Sequence, residues 1–274
     1  PTTLYHSDER FLISESLRGE GARLVDAGGR EFMIDYHPDS SLAPRDIVAR
    51  GIHQMMHETG ALCAYLDITH KPAEWVRRRF PTIDGRCREV GIDITTQRIP
   101  VVPAAHYSCG GIAVDEVGRS SMHRLRAVGE VSCTGLHGAN RLASTSLLEC
   151  LVWGTRAGED AARSVAAAAS AYYAPTIAPW QYETEPVDPA LVAQDWLTIR
   201  QTMWNYVGLV RSRRRLDRAL QIVRELQLEI GPFYARSDLS DALISLRNGV
   251  QTALTVLLSA IESGESRGRD YRAD

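Results

Sequence analysis

The sequence predicts an α+β fold that ends in a three-helix bundle. Three observations predict it. Residues 1–105 alternate short apolar runs with turn signals. Residues 106–185 are rich in Gly, Ala and Ser and run strand, glycine loop, helix. Residues 186–274 carry apolar side chains at helical spacing. With 274 residues, 44% hydrophobic and 24% charged, the chain can form one large domain or two smaller ones, and disordered or collagen-like chains are excluded.

In the first zone, residues 11–17 lead into Arg18-Gly19-Glu20-Gly21, which reads as a helix ending at glycine. Residues 23–26, the turn Ala27-Gly28-Gly29 and residues 31–34 predict a β-hairpin. A helix is expected from near Pro44, because proline is preorganised for a first helical turn and Ile47, Val48, Ile52, Met55 and Met56 share one face. Residues 63–68 are an expected strand and 72–80 a short helix.

In the second zone, residues 125–130 read as a buried strand ending in a turn. The loop Gly135-Leu136-His137-Gly138-Ala139-Asn140-Arg141 follows, then a long Ala-rich helix over 145–169. That order presents backbone N–H groups and a positive dipole end to an anion. The third zone predicts three amphipathic helices, marked by Leu191 to Val207, by Leu216 to Ile230 (ending before Gly231-Pro232) and by Leu239 to Ile261. The cluster Arg211-Ser212-Arg213-Arg214-Arg215 at a helix junction reads as a solvated face.

A net charge of −3 gives no nucleic-acid footprint. Of the 31 basic residues, only Lys71 is a lysine. No apolar run approaches the ~20 residues that span a bilayer, and no signal peptide is visible, so a cytoplasmic protein with no membrane contact is expected. Five cysteines without a CxxC pair argue against a disulfide framework and a zinc site, and no metal is expected. The chain opens at Pro1-Thr2-Thr3 and enters structure at once, which reads like the interior of a longer protein and predicts a fragment.

Several side chains with chemistry sit where the apolar periodicity breaks. Arg45 falls in a first helical turn, where a cation opposes the macrodipole, and pairing with Asp46 or Glu15 would explain it. Ser14, Glu15 and Arg18 put a hydroxyl, a carboxylate and a guanidinium on adjacent turns. His106 lies between an apolar segment and Gly110-Gly111, where a structural role is the commoner one. Arg141 precedes a helix N-terminus and could clamp a carboxylate or phosphate. Together these suit recognition of a small dianion and proton transfer to or from it.

Three motifs carry a resemblance. They are Leu42-Ala43-Pro44-Arg45-Asp46-Ile47-Val48-Ala49-Arg50, Pro103-Ala104-Ala105-His106-Tyr107-Ser108-Cys109-Gly110-Gly111, and the long run from Gly129 through Thr134-Gly135-Leu136-His137-Gly138-Ala139-Asn140-Arg141 to Ser144. In this order and spacing the chain resembles the succinate dehydrogenase/fumarate reductase flavoprotein family, in its aspartate oxidase branch. The resemblance implies a capping (substrate) domain at 1–105 and the returning C-terminal segment of a Rossmann-like FAD-binding domain at 106–185. A helical bundle domain follows at 186–274. No GxGxxG fingerprint occurs, so the N-terminal FAD-binding half, with most contacts to a non-covalent FAD, is expected outside this chain.

By the same resemblance, Arg45 takes a proton from the substrate carbon as hydride leaves to flavin, with Glu15 and Arg18 as its relay. His106 and Arg141 grip a substrate carboxylate, and Ser14 stands where the family usually has Thr. Glu130 matches a carboxylate on the FAD ribose or ribityl hydroxyls. Ser146 and Leu147 match backbone contacts to the flavin ring, beside Thr145, which replaces a usual Asn. Glu265-Ser266-Arg267-Gly268-Arg269-Asp270 resembles a C-terminal family motif with Asp270 in place of His, on a tail expected to order poorly.

The implied reaction is FAD-dependent oxidation of L-aspartate to iminoaspartate. Oxygen or fumarate serves as acceptor, and a quinolinate synthase uses the product towards NAD. The isolated chain is expected to be inactive and to expose apolar surface around residues 125–150. Two alternatives stand beside this: a fumarate reductase or succinate dehydrogenase flavoprotein, and a catalytically silent capping and helical module.

Overall fold

The computed structural model describes residues 2–6, 10–142, 144–167, 176–178, 186–268 and 270–274. The chain divides into two compact units, Pro1–Ser108 and Cys109–Asp274. Residues 168–169, the expected end of the long helix, lie outside the described residues, as do residue 185 and Arg269.

The first unit is built on an antiparallel sheet in the order β2-β1-β5-β4-β3. Its strands are β1 (Thr2–Leu4), β2 (Leu12–Ile13), β3 (Arg23–Val25), β4 (Ala64–Asp67) and β5 (Ile99–Pro103). Register is set by the buried face, with Leu4 opposite Val101 and Leu24 opposite Leu66. The helices are α1 (Ser16–Gly19), α2 (Arg45–Thr59), α3 (Ala73–Arg79) and α4 (Pro81–Glu89). Helix α2 starts after Pro44 and ends at Gly60, whose φ of +70° is the left-handed cap that glycine adopts without strain. It lays Val48, Ile52 and Met55 into one core with Leu24, Leu66 and Ile99.

Two local expectations need correction here. Only the first arm of the 23–34 hairpin becomes a strand. Beyond the bridge of Val25 to Glu31 the chain turns into a 3-10 helix at Met33–Asp35. Met33 is completely buried, and its sulfur would lie 2.7 Å from a Cβ added at Gly51. Packing under α2 thus outweighs the local hairpin signal. The run at 11–21 forms β2 and a single helical turn rather than one helix.

In the second unit, β6 (Ile112–Ala113) pairs in parallel with β7 (Ser132–Cys133). Residues 125–130, expected as a buried strand, contribute only a bridge of Arg126 to Arg119 and the start of a 3-10 turn at Gly129–Val131. The reason is a buried charge. Asp160 on α5 (Thr145–Ala167) accepts from Arg126 Nε at 3.0 Å and from Arg119 Nε at 2.8 Å, holding both arms of the 115–127 excursion against the helix. The two arginines pull the Asp160 carboxyl from 3.8 to about 2.

The bundle consists of α6 (Pro189–Val207), α7 (Arg213–Arg236) and α8 (Asp241–Glu262), around Leu216, Val223, Leu246, Val250 and Leu257. Caps begin each helix: Asp188 Oδ1 accepts from the Ala190 N–H at 2.8 Å, and Ser240 Oγ from the Leu243 N–H at 3.3 Å. Helix α7 runs through Gly231-Pro232 instead of stopping there. Ile230 and Phe233 both pack on the core, and Leu228, whose carbonyl loses its partner to Pro232, is 75% exposed to water. The basic cluster is not simply a solvated face. Arg211 Nε donates to the Val207 carbonyl at 2.9 Å, and its guanidinium pairs with Asp270. The tail is therefore held, with the Arg211 N–H bonded to the Tyr271 carbonyl at 3.0 Å.

Candidate active site

The first unit gathers four of the expected residues. Arg45, first residue of α2, donates from Nη2 to Glu15 Oε1 at 2.6 Å, and its Nε donates to Glu15 Oε2. Of the two partners open to Arg45, Glu15 is therefore the one used, and Asp46 goes to Arg50 at 2.9 Å. The carboxylate offsets the unfavourable placement of a cation at a helix start. Arg18 Nη2 stands 3.7 Å from Glu15 Oε2. Hydrogen bonding to Arg45 holds the Glu15 carboxyl below its ordinary range, Arg18 adds to that, and burial opposes it.

Arg18 is itself only 5% exposed, and burial pulls its pKa down. Its Nη1 donates to the Ser41 carbonyl at 2.5 Å and reaches the Ala43 carbonyl at 3.5 Å. It thereby fixes the segment that delivers Arg45. Its Nε is buried with no hydrogen-bond partner among the described residues. Ser14 Oγ lies 2.8 Å from Ser16 Oγ at the exposed lip of this cluster. His106 is exposed, three residues beyond the end of β5.

The second unit carries the others. Arg141 Nε donates to Ser146 Oγ, which sits in the first turn of α5. Leu147 beside it is 81% exposed and Leu148 62% exposed. Glu130 is exposed in the 3-10 turn. Further apolar residues on this unit face outward, as expected for residues 125–150, with Val131, Leu136 and Leu142 more than half exposed.

One side chain went unremarked in the sequence. Glu149 is 1% exposed, accepts from the Thr134 hydroxyl at 2.5 Å, and contacts His137 Nε2 at 2.8 Å. The signal available was an acid on the helix just after the glycine loop. Its partners, 12 and 15 residues away, show only when the loop is folded back.

One unit thus holds a partly buried Arg–Glu–Arg cluster beside an antiparallel sheet, and the other holds a glycine loop, a long helix and a three-helix bundle. The FAD binding domain family matches residues 1–147, so the chain belongs to that family, whose cofactor is FAD. The family described as fumarate reductase flavoprotein C-term matches residues 197–274.

L-aspartate oxidases are among the similar proteins. The one from Yersinia pestis is 48% identical over 100% of this chain and 51% of its own length. The one from Halobacterium salinarum is 44% identical over 99% of this chain and 51% of its own. A quinol-fumarate reductase structure superposes with a TM-score of 0.82 at 28% identity, covering 100% of this chain and 53% of that one. The Sdh1 complex of Mycobacterium smegmatis gives 0.67 at 30%, covering 100% and 49%. The chain spans about half the length of the curated relatives it matches. Among the described residues, no helix is long and apolar enough to cross a membrane.

Proposed function

We propose that this chain is the substrate-handling part of an FAD-dependent L-aspartate oxidase, which converts L-aspartate to iminoaspartate for a quinolinate synthase to use. The observation that carries the reading is the Arg45–Glu15–Arg18 cluster, with a two-point hydrogen-bonded pair at its centre. Identity of 48% and 47% over the whole of this chain to L-aspartate oxidases supports the choice of substrate.

The residues present fit FAD. The first turn of α5 offers a helix dipole and the exposed Leu147 to a flat ring, and the exposed Glu130 suits a polyhydroxyl chain. A Cβ added at Gly110 or Gly135 would meet nothing within 4 Å, so both loops leave room for a group to approach. When bound, FAD supplies the two-electron acceptor.

The protein's own part is the proton. An arginine holds its proton too tightly to act alone as a base. Arg45 escapes this because Glu15 Oε1 stands 2.6 Å from Nη2. As one terminal nitrogen of Arg45 receives the substrate proton, Nη2 passes its own to Glu15, and the guanidinium stays cationic throughout. Hydrogen bonding to Arg45, with the Arg18 charge, keeps Glu15 ionised, so it has a free charge with which to take up that proton. His106 and Arg141 neutralise and orient the dicarboxylate, and Ser14 adds a hydroxyl to the same task.

An anaerobic absorption spectrum of the FAD-loaded holoprotein tests the reading. Bleaching of the flavin band by L-aspartate but not by succinate is expected. Bleaching by succinate alone would overturn it in favour of a succinate dehydrogenase or fumarate reductase.

A further inference from the structure

We infer that Glu149 is the positioning residue for Arg141, the anchor that holds the 134–141 loop in the shape that presents this guanidinium. The inference rests on the proposed role of Arg141 as a ligand of the substrate carboxylate. Glu149 is the acidic side chain buried deepest in the second unit's loop–helix segment, at 1% exposure. Burying a carboxylate is costly unless its oxygens are hydrogen-bonded, so such a group is kept for what it holds. Both its oxygens are committed to one loop: Oε1 accepts from Thr134 at 2.5 Å, and Oε2 meets His137 Nε2 at 2.8 Å.

One helical turn earlier on α5, Ser146 Oγ accepts from Arg141. Positions three apart lie on one helix face, so that face grips the loop at its start, middle and end. Between the last two anchors the loop passes Gly138, where φ is +50° and a Cβ would meet nothing within 4 Å. At that point the glycine offers no side chain to brace the loop. Without the Glu149 anchor, Arg141 would keep its link to Ser146 but lose its fixed approach to a ligand. Misplacement of a carboxylate clamp by even ~1 Å costs up to about 10²-fold in turnover efficiency.

Two measurements on the FAD-loaded holoprotein test this. In hydrogen–deuterium exchange, Glu149→Ala is expected to speed exchange of the 134–141 amides while the bundle helices stay protected. Unchanged protection of the loop would overturn the anchor whatever the reaction proves to be. In kinetics, Glu149→Ala is expected to raise KM for the dicarboxylate at least about tenfold with flavin content retained. In an Arg141→Ala background the same change should add little. Full additivity of the two substitutions would overturn the inference. Arg141→Ala without effect on KM would overturn the substrate reading beneath it, which the exchange experiment does not share. Should Glu149→Ala fail to fold, Thr134→Val and His137→Leu each remove one bond to the same carboxylate. Each is expected to shift KM in the same direction, and no shift from either would count against the anchor.

Discussion

Arg45 and Glu15, 30 residues apart in sequence, meet through both guanidinium and carboxylate edges, with Nη2 to Oε1 at 2.6 Å. The fold needs four pieces to bring this about. β2 and the turn of α1 place Glu15, while the Ser41–Ala43 carbonyls, gripped by Arg18, place the start of α2. The proposed proton path runs through this hydrogen-bonded pair.

Removing the acceptor should slow proton transfer while leaving substrate bound. Glu15→Gln is expected to lower kcat by about 10²- to 10⁴-fold, the span that a placed acid–base group supplies, with a much smaller change in KM. Steady-state kinetics of the FAD-loaded protein would show the split. A change confined to KM would place Glu15 outside the relay.

His106 and Arg141 are expected to act in binding. His106→Ala should lower kcat/KM by about 10- to 100-fold, the worth of one hydrogen bond to a charged group. A larger loss for dicarboxylates than for a monocarboxylate analogue is the expected signature. Equal losses for both would contradict it.

Gly268 approaches the Arg141 loop from the C-terminal tail, with φ +54° and a Cβ that would stand 2.7 Å from the Ala139 carbonyl oxygen. Gly268→Ala should therefore push the loop and destabilise the protein by about 1–3 kcal/mol. Chemical denaturation checks the stability. Competition with a dicarboxylate inhibitor checks the loop.

Asp160 gives the second unit an acid dependence. Its folded pKa of about 2 lies below the ordinary 3.8, so its stabilisation is present above about pH 4 and is lost as pH falls through 2. Asp160→Asn is expected to lower Tm at pH 7, and the gap to the parent protein should close between pH 4 and pH 2. A gap independent of pH would show that the carboxylate charge is not what holds Arg119 and Arg126.

The bundle was legible because helical periodicity is a local signal. Leu216, Val223 and Ile230 lie on one stripe of α7, and every one of them is buried. Leu216→Ala should cost about 2–5 kcal/mol. Pro232 misled for the same reason, since its local preference to stop a helix is outweighed by Ile230 and Phe233 packing on either side. The strand expected at 125–130 shrinks to the bridge of Arg126 to Arg119, both of which are held by Asp160, more than thirty residues away from either. In the site, Arg45, Glu15 and Arg18 could be singled out from charge at a helix start. Glu149 could not, because a buried acid shows itself only through partners brought by the fold.

The proton role of Arg45 is tested most directly by rapid mixing of the FAD-loaded protein with L-aspartate without oxygen, in the parent and in Arg45→Lys. Lysine keeps the charge but cannot pair with both Glu15 oxygens in one plane. The account predicts flavin reduction slowed by at least about 10²-fold with the flavin still bound. Reduction at the parental rate in Arg45→Lys would contradict it.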